Sequence, residues 1–457
     1  MKIVTLTVAI VLFLSEIYSN GRLEVAATRD FTRLHGLKNF LLISSLLAMN
    51  NNPNQPREYD AVLGGEVPPP VNSVVLGGLE GVRSRLRSSV VEVQVNALSE
   101  ALNYGDVGLE IVIQALHNQS GQVRLSAYNI LRRRSPSQTS RTESFVKQAL
   151  QDFNPYQFFQ CIHTLKAYYQ QVHSVAISPD GKTLVCGSGD SRYNSINSPK
   201  VWNLETGQEK FDLRFNHHHT SDINWVAISP DGQKMISAGA DKIIMLWDIK
   251  AGKYLGKLSK HSTTIYALAI HPNGESFFSA DGNGCIKIWQ WNWGEEVAIL
   301  EGHRRSIYAL CISPDGKLLI SGGEDRTIKI WDLKSRREIW SLIGHCHSIR
   351  SLAISPNGRI LVSGSDQRIK IWDMQTGEEI FSFYGHAGWV RSIVFSPDGK
   401  TFLTAGDQNI KVWDLASEKK IFSFQGHTGA IRSLALSSNG QTLVSGGVNN
   451  TVKVWRF

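Results

Sequence analysis

From residue 158 to the C-terminus the chain runs in short segments whose apolar side chains fall at alternate positions. The last segment, "NTVKVWRF" at 450–457, places Val452 and Val454 in a period-two pattern beside aromatic residues, the mark of a β-strand. A strand of this kind with its tryptophan occurs six more times upstream. Turns of the form Ser-Pro-(Asp/Asn)-Gly or a variant precede each one, for example at 313–316 and 355–358. Ahead of this region the period changes. Residues 92–102 and 122–132 lie thirty apart and match at Val93/Val123, Val95/Leu125, Ala97/Ala127 and Ala101/Leu131. Their apolar positions recur at helical spacing, and a further helix is expected between them at 108–118.

The seven tryptophans are Trp202, Trp247, Trp289, Trp331, Trp372, Trp413 and Trp455, spaced by 45, 42, 42, 41, 41 and 42 residues. Four continue with aspartate, at Trp247, Trp331, Trp372 and Trp413. Gly-His pairs stand upstream at 302–303, 344–345, 385–386 and 426–427. This pattern resembles the WD-repeat family over about 300 residues. The resemblance implies four short strands per repeat and a mainly β fold, a seven-bladed β-propeller. Helix pairs recurring about every thirty residues resemble one and a half HEAT repeats, which stack on neighbours to bury their faces. Helical repeats followed by seven WD repeats resemble bacterial WD-repeat proteins.

In the family, repeat and blade are out of phase by one strand. The chain therefore ends without the outer strand of its last blade. Counting back from the aligned histidine position places the matching strand at 161–165, which is expected to pair with the strand carrying Trp455. An unclosed ring would leave a row of backbone groups unpaired. The expected organisation is an apolar extension at 1–48, a polar Pro/Gly-rich linker at 49–80, HEAT-like repeats at 81–134, a linker with a short helix at 135–157, and the propeller at 158–457.

A Ser, a His and an Asp in each repeat invite a hydrolase reading. The resemblance implies instead a buried hydrogen-bonded chain tying the strands of one blade together. Four such sets are aligned: His219, Ser237, Asp241 and Trp247; His303, Ser321, Asp325 and Trp331; His345, Ser363, Asp366 and Trp372; and His386, Thr404, Asp407 and Trp413. A repeating scaffold needs one set per blade, whereas an enzyme rarely needs four copies of a site. Asn283 and Asn449 replace the aspartate in the third and seventh repeats. In the first, Tyr168 stands for the histidine and Cys186 for the serine, and an inserted loop is expected within 191–199. The triplet His217–His219 looks like a metal site, but His219 falls at the buried histidine's offset, so no metal is assigned.

The 457 residues are 42% hydrophobic and 19% charged, which excludes a disordered or fibrous chain. A net charge of +8, spread over both parts of the chain, lacks the basic excess of a dedicated nucleic-acid binder. The five cysteines have no paired or metal-type spacing and read as small buried apolar groups. The first twenty residues resemble a signal-peptide core with a poor cleavage site, and the run is too short to span a bilayer comfortably. Two readings stand: a secretory signal or anchor, or a natural start at Met49 with 1–48 as an upstream extension. The first gives an exported or surface-attached binding protein and the second a cytoplasmic one.

In the family, side chains three and five residues after the histidine sit on the narrower face, the usual protein contact. The fifth positions are His173, Asn224, Tyr266, Tyr308, Arg350, Arg391 and Arg432; the third positions include Asp222, Thr264, Ser306, Ser348 and Trp389. Three arginines beside aromatics have the composition of an interface hot spot suited to carboxylate or phosphate. The expected function is a non-catalytic scaffold that binds other proteins, with acidic or phosphorylated segments as partners and no cofactor. No nucleic-acid partner or stable membrane span is expected, and the chain is expected to be monomeric. The alternative is a propeller enzyme, a hydrolase or dehydrogenase. Against it, GxGxxG, GxxxxGKS/T, HExxH and CxxC are absent.

Overall fold

The computed structural model describes residues 78–133, 141–167, 171–189, 197–211, 213, 217–291 and 294–457. Residues 1–48, Tyr168 and most of the inserted loop, 191–196, lie outside the described residues. The described chain divides into two compact units at Val112/Ile113.

The first unit holds helix α1 (Gly78–Leu86), α2 (Val91–Ala101) and most of α3 (Gly105–Ala115). Val82, Ala97, Leu98, Ala101, Leu109 and Val112 are buried, one apolar stripe per helix. Arg85 pairs with Glu100 across α1 and α2. The expected linker ran to residue 80, but α1 already starts at Gly78. Its acidic first turn (Glu80) and basic last turn (Arg83, Arg85) complement the helix dipole, a signal that the Gly-rich composition hid.

The second unit opens with α4 (Gly121–Arg133) and α5 (Arg141–Asp152), then a 3₁₀ turn at Pro155–Phe158. Phe457 at the chain end meets the rings of Tyr128, Tyr156 and Phe159, at 6.3, 5.9 and 5.1 Å between centroids. Arg132 donates to the carbonyl of Asn439. These contacts hold the C-terminal strand from outside the ring.

Among the described residues, twenty-eight strands form seven four-stranded antiparallel sheets. The inner strands of blades one to seven are Gln171–Ile177, Ile223–Ile228, Ile265–Ile270, Ile307–Ile312, Ser351–Ile354, Ser392–Phe395 and Ile431–Leu436. Each contacts the inner strand of the next blade, and the seventh contacts the first, so the unit is a closed seven-bladed propeller. The seventh sheet takes its outer strand from Gln160–Lys166, which lies antiparallel to Thr451–Arg456 with Cys161 opposite Trp455 and Leu165 opposite Val452.

The core sits between blades. Ile320, Ile328 and Ile330 of blade four pack with Ile349, Leu352, Leu361 and Trp372 of blade five. Central strands are buried on both faces, so Thr442–Gly447 has no exposed position. The Ser-Pro-Asp-Gly turns close on themselves. The Ser313 hydroxyl bonds Asp315 Oδ1 at 2.6 Å and accepts Leu318 N–H at 2.9 Å, and Gly316 takes the left-handed φ of 73° that a side chain would oppose.

All five cysteines are free. The expectation that they are buried fails for Cys161, on the closing strand, and for Cys346, beside His345; both positions are exposed. Cys186 is fully buried, and burial pushes its thiol up to about 12.

Candidate functional site

A defect in five of the seven inner strands helps build the mouth of the propeller. In blades one, two, three, four and seven the pairing to the next strand skips one residue. The skipped residues are His173, Asn224, Tyr266, Tyr308 and Arg432. A bulge leaves one residue out of the ladder and re-aims its side chain. In blades five and six, Arg350 and Arg391 stand directly before the inner strand, each donating its backbone N–H to a neighbouring strand at 2.8 Å.

The structure brings all seven fifth-position residues around one pocket of about 180 Å³, together with Trp225, which the sequence reading did not single out. Trp389 joins from the side, its ring centroid 5.1 Å from the Arg350 guanidinium. That guanidinium also lies 3.8 Å from the ring centroid of Tyr308, and Tyr308 meets Tyr266 edge-on at 5.0 Å. Asn224 donates to the Ile265 carbonyl at 2.9 Å. Arg432 reaches His173 Nδ1 at 3.2 Å and donates to Gln171 Oε1 at 2.7 Å. Among the described residues, Arg350 and Arg391 make no hydrogen bond or ion pair through their side chains. The buried Nε atoms of Arg350 and Arg432 have no hydrogen-bond partner among the described residues. Burial, then the charges of Arg432 and Arg350, pull the Arg391 guanidinium down from 12.5 to about 10, so it stays charged at neutral pH.

The buried Ser-His-Asp constellations are blade staples. In blade four, Trp331 Nε1 donates to Ser321 Oγ at 2.9 Å, Ser321 Oγ lies 2.7 Å from His303 Nε2, and His303 Nδ1 lies 2.9 Å from Asp325. Burial works to raise the Asp325 carboxyl, but the hydrogen bond and charge of His303, the Arg304 N–H and the Thr327 hydroxyl hold it well below the usual range. Blade two repeats this with Ser237 between Trp247 and His219, and Asp241 2.8 Å beyond. In blade six Thr404 bridges His386 and Trp413 at 2.8 Å each, and Asp407 lies 3.1 Å from His386 Nδ1. The chains lie within single blades, away from the pocket. No group of three His, Cys, Asp or Glu among the described residues could hold a metal. His217 instead stacks on Tyr254.

Two readings need correction. Asp366 does not complete the blade-five set. His345 bonds Ser363 at 2.7 Å, and Trp372 donates to Ser363 at 2.8 Å, but Asp366 starts the next strand and pairs with Trp389. Blade six has the same spacing from Thr404 to Trp413 and keeps Asp407 beside His386, so turn length alone does not decide the outcome; in blade five the strand ladder claims the aspartate. Blade three has a complete set that the spacing missed. Asn283 bonds Ser262, while Asp281, two places earlier, lies 2.9 Å from His261 Nδ1; Ser279 joins His261 and Trp289. Asp281 within "SADGNG" was the available signal. In blade seven Asn449 keeps the bond to His427 at 2.9 Å without a charge.

Burial, with Lys370 and Arg368 nearby, pushes His345 down to about 3. In the unfolded chain a histidine takes its proton near 6.5, so the unfolded state binds more protons between those values. The contribution is whole above pH 6.5 and falls as pH drops toward 3. The thermal midpoint is expected to fall from pH 7 to pH 5, and less steeply in His345→Gln; equal slopes would refute this.

The WD domain, G-beta repeat family matches residues 159–192, 210–248, 252–290, 294–332, 336–373, 377–414 and 418–456. Relatives include cross-pathway control WD-repeat protein 2 of Flammulina velutipes, 50% identical over 60 residues, 13% of this chain and 18% of the relative. Small ribosomal subunit protein RACK1y of Oryza sativa subsp. japonica is 40% identical over 81 residues, 18% of this chain and 21% of the relative. Small ribosomal subunit protein RACK1 of Caenorhabditis elegans is 35% identical over 99 residues, 21% of this chain and 28% of the relative. The matches thus span under a third of each relative's length. All three are eukaryotic, so the bacterial resemblance has no counterpart among them. Seven matched repeats and seven closed blades place the chain in the WD domain, G-beta repeat family.

Proposed function

We propose that this protein is a non-catalytic interaction scaffold whose narrow propeller face takes an acidic or phosphorylated segment of a partner protein. The observation that carries this is the convergence of Arg350, Arg391 and Arg432 on one pocket, two of them without a hydrogen bond or ion pair among the described residues. Guanidinium groups left without acceptors in a half-buried site favour a ligand that brings acceptors. Tyr266, Tyr308 and Trp389 supply rigid apolar area beside them. Two relatives are named as small ribosomal subunit proteins, which agrees with a part in a larger assembly. The helices before the propeller would add a second contact. A cytoplasmic location goes with this reading, and no helix among the described residues is long and apolar enough to cross a membrane.

Reversing all three charges (Arg350→Glu, Arg391→Glu, Arg432→Glu) is expected to abolish partner recovery in a pull-down, with the β-sheet circular dichroism signal retained. Full recovery of partners by a folded triple variant would refute the proposal.

A further inference from the structure

The three arginines differ in how they are held, and the differences narrow the ligand. Arg350 is steadied by the faces of Tyr308 and Trp389. Arg432 commits Nη1 to His173 and Nη2 to Gln171, while its Nε–H has no partner among the described residues. The Arg391 side chain has no polar partner among the described residues. One carboxylate, Asp222, acts on Arg432, and it lies 3.9 Å from His173 Nε2. Glu324 stands beside the pocket, accepting from the Tyr308 hydroxyl at 3.4 Å, and its charge is met by Arg305 at 3.2 Å.

Three guanidinium charges against the Asp222 carboxylate leave two positive charges at the pocket. A single carboxylate would leave one of them uncompensated. A phosphate monoester carries close to two negative charges at neutral pH and three acceptor oxygens, one for each arginine. We propose that Arg350, Arg391 and Arg432 form a socket for the phosphate of a phosphorylated side chain on a partner protein. This rests on the narrow-face reading above and adds selectivity for phosphate over carboxylate. The bulge at Arg432 and the rings around Arg350 pre-set the donors, so little ordering remains on binding. The unliganded socket holds like charges together. A bound dianion relieves that repulsion, and so does loss of Arg391.

The test uses the full chain at constant ionic strength, titrated calorimetrically with a capped Gly-Gly-phosphoserine-Gly-Gly peptide and its glutamate counterpart. The phosphopeptide should bind at least about tenfold more tightly, and inorganic phosphate should compete with it. Arg391→Gln should lose at least about tenfold in phosphopeptide affinity while its thermal midpoint stays level or rises. Arg432→Gln should also lose affinity. Equal binding of the two peptides would overturn phosphate selectivity, and the triple charge reversal would still report separately on the narrow face. Unchanged phosphopeptide affinity in Arg391→Gln, or a lowered midpoint in that variant, would overturn the socket. Tighter binding of a short single-stranded RNA than of the phosphopeptide would overturn the assignment to a protein partner.

Discussion

Asp325→Ala is expected to destabilise the propeller by about 3 kcal/mol, while Asp366→Ala costs less than about 1 kcal/mol. Both aspartates follow a Ser-Gly step in their repeats, and the aligned spacing treats them as equivalent. Their surroundings differ. Removing the Asp325 carboxylate strands the buried His303 Nδ1–H and takes acceptors from the Arg304 N–H and the Thr327 hydroxyl. A buried donor left without a partner loses the full desolvation cost of that group, and bonds to a charged acceptor are the stronger kind. Asp366 makes no bond to His345, so its loss strands nothing on the histidine. The measurement is the midpoint of the cooperative propeller transition in calorimetry or denaturant unfolding for the two variants side by side. Equal losses would show that the carboxylate in blade five contributes as much as the one in blade four, against the geometry. Asp281→Ala in blade three should behave like Asp325→Ala, because its carboxylate also meets a buried histidine.

Leu165→Asp should cost more than about 4 kcal/mol and open the ring, while Ile162→Asp on the same strand should be tolerated within about 1 kcal/mol. Leu165 is 8% exposed and packs with Val172, Val452 and Val454, whereas Ile162 is 41% exposed and falls at the break in register between Cys161 and His163. A carboxylate forced among these aliphatic groups has no counter-charge in that cluster, so the strand detaches instead of burying it. Detachment exposes the backbone edge of Thr451–Arg456, a template for pairing with another chain. Size-exclusion chromatography should then show soluble aggregates for Leu165→Asp and the unaltered elution volume for Ile162→Asp. A well-folded, singly eluting Leu165→Asp protein would show that the ring does not depend on this strand.

Much of the propeller is legible in the chain because tandem repeats state the same local instructions seven times. One Trp-bearing strand is weak evidence. Seven at intervals of 41 to 45 residues leave few alternatives, since each sheet can bury its two faces only against copies of itself. The same register located the residues that surround the pocket, from His173 to Arg432. The two misplaced aspartates were missed because spacing gives a place along the turn and not the carboxylate that reaches the histidine: Asp281 does so two places ahead of Asn283, and Asp366 enters the strand ladder. Helix α1 was hidden for another reason: its glycines read as linker, and only its charge order favoured a helix.

The sequence by itself determined the number of blades, the strand order within each, and which side chains stand at the channel mouth. The count follows from local periodicity, which every repeat restates; the strand order and the mouth positions follow from the resemblance to the WD-repeat family laid on that register. Only the tertiary structure decided that the Arg391 side chain stands without a polar partner among the described residues while Arg432 leans on His173 and Gln171. It likewise decided that Asp281 replaces the expected aspartate in blade three. The arginine contacts depend on bulges in neighbouring blades meeting across the channel, and the aspartate on how one turn folds within its own blade; such distances exist only in the folded ring.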